Sequence, residues 1–325
     1  MVTLGQLVEL NTLNGCAIEC TRQSRWKETT QRYLADMLAR NLRLQEEILQ
    51  HRYEVSPTID FTINERGHVR SIKAPAIVDK VLQKSLTQNV LIPSVRPYLI
   101  YDNYASLKQR GTSFARKRFE VMLRRHINLH GTDGYILLGD ISKYFESINH
   151  DVLKRMVVPR LTNVCSDVAE LVNYTIDHSS EGENGLNLGS EAPQILAVHY
   201  LAPVDNYVKI VKGIKYYGHY MDDFFVIAKT REELEGLLSG IERKMTEIRL
   251  SINRKKTHII KLTDGFTYLQ VRYTITRTGK ILKRPTRSKI TRERRRLKAF
   301  RRMCDDGRMT EADIYNCYQS WLCCP

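Results

Sequence analysis

The chain has 325 residues, 42% hydrophobic and 27% charged, and a formal net charge of +15. That length suits two or three structural units with a sizeable core, and the composition excludes a disordered or fibrous chain. So large a positive excess favours a polyanionic partner. No apolar run approaches the roughly 18 residues of a membrane span, and the N-terminus lacks a signal-peptide pattern. Nucleic acid, not membrane, is therefore the expected partner.

In chain order, Leu34, Met37, Leu38, Leu42, Ile48 and Leu49 give helical spacing over 28–50. Ser56-Pro57 breaks it, Ile59–Ile63 alternates as a strand, Asn64-Glu65-Arg66-Gly67 turns, and Val69–Ile72 returns. Helical spacing resumes over 76–93 and again beyond Lys108–Thr112 through Phe114, Phe119 and Leu123. Tyr135–Gly139 is a short apolar run, the pattern of a buried strand. Helices are predicted from about Asp151, over 166–178 and over 193–211, where Pro203 should kink the last or start a new turn.

Two β-prone runs, Lys215–His219 and Phe225–Ala228, flank Tyr220-Met221-Asp222-Asp223-Phe224 and predict a hairpin with two carboxylates at its tip. Leu234 to Ile248 traces an amphipathic helix, and strand-like runs occupy 257–262 and 266–276. From 286 to 321 there is room for two or three helices, the first carrying nine cations between Arg287 and Arg302. Seven cysteines (16, 20, 165, 304, 317, 323, 324) are scattered, and Cys16 and Cys20 lack a second pair to complete a zinc site. A reduced, cytoplasmic protein without disulfides or structural metal is expected.

An isolated Asp-Asp turn is ordinarily a solvated turn. Adjacent carboxylates repel, however, and become favourable where hard divalent cations share the site. Asp140, at the end of the Tyr135–Gly139 run, supplies a third carboxylate if the fold brings it to Asp222 and Asp223. Three carboxylates on neighbouring strands suit two-metal phosphoryl transfer.

Gly139-Asp140-Ile141-Ser142-Lys143-Tyr144-Phe145 resembles motif A of reverse transcriptases, and Tyr220-Met221-Asp222-Asp223 resembles their YxDD motif C. Arg66–Pro75 is similar to the fingers motif, Lys256-Thr257 to motif D, and Phe266–Val271 to the primer-grip hairpin, with Gln270 where glycine is usual. The resemblance implies an α+β right-hand polymerase. Residues 1–134 would be the N-terminal segment and fingers, 135–284 a palm whose antiparallel sheet packs on helices, and 285–325 a short basic helical thumb.

By the same resemblance, Asp140, Asp222, Asp223 and Lys256 are catalytic, and Asp140, Ile141, Asp222 and Asp223 hold two Mg²⁺, with Mn²⁺ as a substitute. Arg70 meets the incoming dNTP, Phe145 excludes a ribose 2′-hydroxyl, and Gly189 and Gln194, in the motif B loop and its helix, line the templating pocket. Arg110, Arg292, Arg295 and Arg296 grip the RNA template and its DNA or RNA primer. Leu188, Gly189 and Gln194 match the motif B of diversity-generating retroelement enzymes, while Pro193 departs from it. That type implies error-prone copying at template adenines, a small basic accessory protein, and a bacterial or phage-encoded cytoplasmic setting. The alternatives are a phage-defence or group II intron-like reverse transcriptase, an RNA-templated RNA polymerase, and an inactive nucleic-acid-binding palm.

Overall fold

The computed structural model describes residues 1–65, 68–187 and 189–322, with backbone alone over 63–65 and 68–71. The turn at Arg66-Gly67, Leu188, Cys323-Cys324 and the side chain of Arg70 therefore lie outside the described residues. The strands are β1 (Ile59–Glu65), β2 (His68–Ala74), β3 (Tyr135–Asp140), β4 (Tyr217–Tyr220), β5 (Asp223–Ala228), β6 (His258–Lys261), β7 (Phe266–Tyr268), β8 (Val271–Ile275) and β9 (Ile281–Pro285). All named pairings are antiparallel, in sheets ordered β1-β2, β4-β5-β3-β6 and β7-β8-β9.

The chain divides into two compact units. Unit 1 comprises 1–108, 141–213 and 241–252, and unit 2 comprises 109–140, 214–240 and 253–325.

Unit 1 is mainly helical and carries the β1–β2 hairpin. Its helices Leu10–Thr21, Met37–Leu49, Ile77–Leu86 and Glu191–Tyr200 bury Leu13, Leu44, Leu82, Leu86 and Leu196. Asp79 and Tyr200 carry two of its buried hydrogen-bond sets. Asp79 accepts from the Tyr53 hydroxyl (2.7 Å) and the Ser56 amide (3.2 Å), and the Tyr200 hydroxyl donates to the Ile248 carbonyl (2.6 Å).

Unit 2 holds the four- and three-stranded sheets. The inner strands β3 and β5 are continuous apolar runs, as strands buried on both faces should be. In β8, Val271, Tyr273 and Ile275 are buried while Arg272 and Thr274 are exposed, a period of two that marks a sheet with one wet face. Phe119, from helix Thr112–His130, joins the two sheets. Its ring centroid lies 4.9 Å from Phe225, 5.8 Å from Phe266, 4.9 Å from Tyr268 and 5.0 Å from Tyr273. Such aromatic pairs stabilise beyond the area they bury.

Several expectations change. The 28–50 helix is two helices, Glu28–Ala35 and Met37–Leu49, broken at Asp36, where the backbone leaves helical geometry. The 76–93 helix continues as a wider π-turn at Thr87–Leu91. The 193–211 segment breaks at Leu201, and Pro203 stands in the first turn of the restarted helix Ala202–Asn206. The 266–276 run is not one strand but the hairpin β7–β8. Two helices follow Pro285, Arg287–Asp305 and Glu311–Leu322. Cys16, Cys20, Cys165, Cys304 and Cys317 carry free thiols. No described helix is long and apolar enough to cross a membrane.

Candidate active site

The register of unit 2 assembles the carboxylates. Asp140 is the direct partner of Asp223 across β3–β5, and Tyr220 is the partner of Asp223 across β4–β5. Directly opposed residues point to the same face with Cβ atoms about 5 Å apart. Asp140, Asp223 and Tyr220 therefore form one row. One step along, Gly139, Phe224 and His219 form the next row, facing the other side. Glycine at 139 has a steric reason, because a Cβ there would stand 2.0 Å from Cζ of the buried Phe224 ring.

Met221 and Asp222 close the hairpin as a two-residue loop. Met221 is left-handed (φ 54°), a conformation that costs an L-residue about 1 kcal/mol. The fully buried His219 places Nδ1 3.4 Å from the Met221 carbonyl oxygen, a brace on that turn.

The loop after residue 252 holds Asp140 from the other side. The Asn253 amide donates to the Asp140 carbonyl (2.8 Å), and the Asp140 amide donates to Thr257 Oγ1 (3.3 Å). Lys256 Nζ donates to Asp140 Oδ1 at 3.0 Å. Sequence reading missed Gly139, His219, Asn253 and Thr257 as supports. The small residue before Asp140 was the one local signal.

Charge crowding acts on the ionisable groups of the site. Burial first, then the charges of Asp222 and Asp140, push the Asp223 carboxyl up to about 7, against a partial opposing effect of Lys256. The hydrogen bond to Asp140 raises the Lys256 ammonium above its ordinary range, so it stays protonated.

No group of three or more His, Cys, Asp or Glu among the described residues forms a ready-made metal cage. Magnesium is nevertheless ordinarily held by one or two carboxylates together with substrate phosphates. A pair of opposed hard-oxygen donors, with one carboxyl unable to ionise freely until positive charge arrives, fits such a cation.

The other sequence-predicted residues are distributed as follows. Ile141, Phe145, Gly189, Gln194 and Arg70 belong to unit 1. Ile141 is buried and bridges to Ile252. Phe145 is half-buried on the short helix Tyr144–Ser147. Its carbonyl accepts from the Leu186 amide (2.8 Å), and Tyr144 beneath it donates to the Ala197 carbonyl. Gly189 allows close approach, since a Cβ there would stand 2.4 Å from Pro75 Cδ. Ser190 bonds Gln83, and Glu191 pairs with Lys84 (2.6 Å), so helix Ile77–Leu86 anchors the start of helix Glu191–Tyr200, where Gln194 is half-buried. Arg70 sits on β2 opposite Ile63.

In unit 2, Arg110 stacks its guanidinium over Phe114 (4.4 Å). Arg292 and Arg295 are exposed on helix Arg287–Asp305 and make no ion pair among the described residues. Arg296 instead bonds Glu293 (2.7 Å) and the Cys317 carbonyl (3.3 Å), tying the two C-terminal helices together.

The family model described as reverse transcriptase (RNA-dependent DNA polymerase) matches residues 62–273. Protein YkfC of Escherichia coli (strain K12) is 22% identical over 275 residues, which are 70% of this chain and 69% of that protein. Among solved structures, apo telomerase from Candida tropicalis superposes with a TM-score of 0.52 at 14% identity, covering 71% of this chain and 49% of that one. Telomerase from Candida albicans in complex with a fragment of telomeric RNA gives 0.51 at 12% identity, covering 72% and 46%. The chain thus spans about half the length of these telomerase chains, and the likeness carries the fold.

Proposed function

The chain belongs to the reverse transcriptase family and is an RNA-directed DNA polymerase of right-hand α+β fold; on that premise we propose which residues do the work and which kind of reverse transcriptase it is. The observation that carries the assignment is the register pair Asp140–Asp223 with Asp222 in the adjoining turn. These three carboxylates would hold Mg²⁺, and two such ions, if bound, would supply Lewis acidity to a primer 3′-hydroxyl and to the leaving pyrophosphate. Lys256 keeps a proton at Nζ beside Asp140 and can give it to that pyrophosphate.

Arg70 on the β1–β2 hairpin binds the triphosphate of the incoming dNTP, and Phe145 meets its sugar. Gly189 and Gln194 line the template side. Arg110, Arg292 and Arg295 neutralise template–primer phosphates, a role that predicts steep salt dependence. In this reading residues 1–134 are fingers with an N-terminal segment, 135–284 the palm and 285–325 the thumb.

The enzyme serves a diversity-generating retroelement and misincorporates opposite template adenines, with a small basic protein as accessory partner. Support comes from the sequence of the motif B loop, where Gly189 lies against Pro75 and Gln194 follows in the helix. The assay is primer extension on an RNA template of defined sequence with dNTPs and Mg²⁺, followed by product sequencing. Errors concentrated at adenines are expected; uniform errors would overturn the subtype. In the same assay Phe145→Ala should raise ribonucleotide use about ten- to a hundredfold. An unchanged rNTP/dNTP ratio would remove Phe145 from the sugar site.

A further inference from the structure

The turn between helices Leu10–Thr21 and Glu28–Ala35 presents one of the chain's two tryptophans to solvent: Trp26 is 77% exposed. The other, Trp321, is half-buried and stacked on Tyr318. A large aromatic left in water forgoes substantial burial. The turn that displays it is well tied. Thr21 donates through Oγ1 to the Ala17 carbonyl (2.7 Å), the Ser24 amide to the Thr21 carbonyl (2.9 Å), and the Lys27 amide to the Ser24 carbonyl (2.9 Å). Thr30, buried at the start of the next helix, bonds Ser24 Oγ (3.2 Å). The indole is therefore held outward by ordered backbone.

Its neighbours are cations. Arg22, Arg25 and Lys27 are exposed, and none forms an ion pair among the described residues. Lys27 Nζ lies 5.4 Å from the indole centroid. The nearby acids are engaged elsewhere, Glu28 with Arg32 and Glu19 with Lys84 and Gln88. Lys80 adds a fourth positive group, its ammonium pushed below its ordinary range by burial and then by Lys27.

We infer that this turn is a stacking site for single-stranded RNA, in which Trp26 takes the face of one unpaired base and Arg22, Arg25 and Lys27 take the flanking phosphates. Single strands are held without sequence preference by aromatic faces that stack bases beside cations that take the phosphates. A duplex keeps its bases stacked on each other and offers Trp26 no free face. A lipid surface would reward several apolar side chains, and Trp26 is the one large apolar residue between 22 and 29. The inference draws on the polymerase reading only for the choice of RNA as ligand.

The test uses the full chain with Trp321→Phe, which leaves Trp26 as the reporting indole. Titration with a 12-nucleotide single-stranded RNA should quench its emission, and Trp26→Ala should weaken binding about tenfold, while Trp26→Tyr keeps most of the affinity. Arg25→Gln should lower the salt slope by about 0.7. RNA binding without quenching, or equal affinity of the Trp26→Ala protein, would overturn the site. Tighter binding of single-stranded DNA or duplex, or quenching confined to phosphatidylserine vesicles, would overturn the choice of ligand. Primer extension by the unsubstituted protein is run alongside. Its absence would count against the polymerase reading and leave the quenching result standing.

Discussion

Two hairpins in unit 2 close on two-residue loops without glycine, and they differ in what holds the loop. In β4–β5 the loop is Met221-Asp222, and Met221 alone is left-handed. Met221 and Asp222 are both half-buried, His219 Nδ1 lies 3.4 Å from the Met221 carbonyl oxygen, and the Phe224 ring packs at Gly139 in the next row. In β7–β8 the loop is Leu269-Gln270, and both residues are left-handed (φ 44° and 67°), the pattern of a type I′ turn that favours Asn-Gly. Leu269 is half-buried there and Gln270 exposed. In the first hairpin the left-handed residue adjoins the carboxylates proposed to hold metal and has a buried histidine against its carbonyl. In the second, position 270 has the backbone of a glycine without being one.

The largest test of this contrast is Asp222→Asn. Single-nucleotide extension should slow about a thousandfold, the equivalent of about 4 kcal/mol in the barrier, while the thermal midpoint does not fall. A variant that extends at the original rate would detach the first hairpin from catalysis.

Gly139→Ala attacks the packing of the Phe224 ring. Displacing the Phe224 ring should cost about 2 kcal/mol in urea unfolding and reduce extension, because Asp140 and Asp223 are the next pair in the ladder. Full stability in this variant would show that the ring is not fixed.

The third effect follows pH. The Asp223 carboxyl titrates near 7 in the folded protein against 3.8 ordinarily. Between those values the folded chain binds a proton that the unfolded chain has released. Its contribution to stability therefore falls as pH rises through that window and levels off above it. Asp223→Asn should be more stable than the parent by up to about 1 kcal/mol at pH 8 without divalent cations, with the gain shrinking towards pH 5. A pH-independent difference would mean that the carboxyl is not crowded.

Smallest is Gln270→Gly. Relief of the left-handed cost outweighs glycine's entropy by about 0.5 kcal/mol, so a small rise in the thermal midpoint is expected. A fall would show that the Gln270 side chain is worth more than its backbone costs.

Much of this was legible in the sequence. The Tyr135–Gly139 run, the paired aspartates and the basic stretch after Pro285 each announce themselves locally, whereas Lys256 stands out among its neighbouring cations only through the motif D resemblance. The pairing of Asp140 with Asp223 does not, because register is a property of two distant segments and no local pattern encodes it. Helix Leu10–Thr21 escaped notice for a different reason. Its buried residues include Cys16, Ala17 and Thr21, a stripe too small and too polar to read as a helix face. Strand β9 is short and only half-buried, and it depends on β8 for its partners. Position 270 was the one place where a departure from the usual glycine pointed correctly to a special backbone.

The ladder that sets Asp140 against Asp223 also sets what kinds of mutation the gene can survive. Side chains in a strand alternate faces, so a single inserted codon in β5, before the turn is reset, would send Asp223 to the side now held by Phe224 and bring an aromatic ring against Asp140. A point substitution beside the site changes one neighbour; a frame-preserving indel inverts the row. Length, more than identity, is the conserved quantity to look for between Tyr217 and Ala228 when variants of this protein are made or selected.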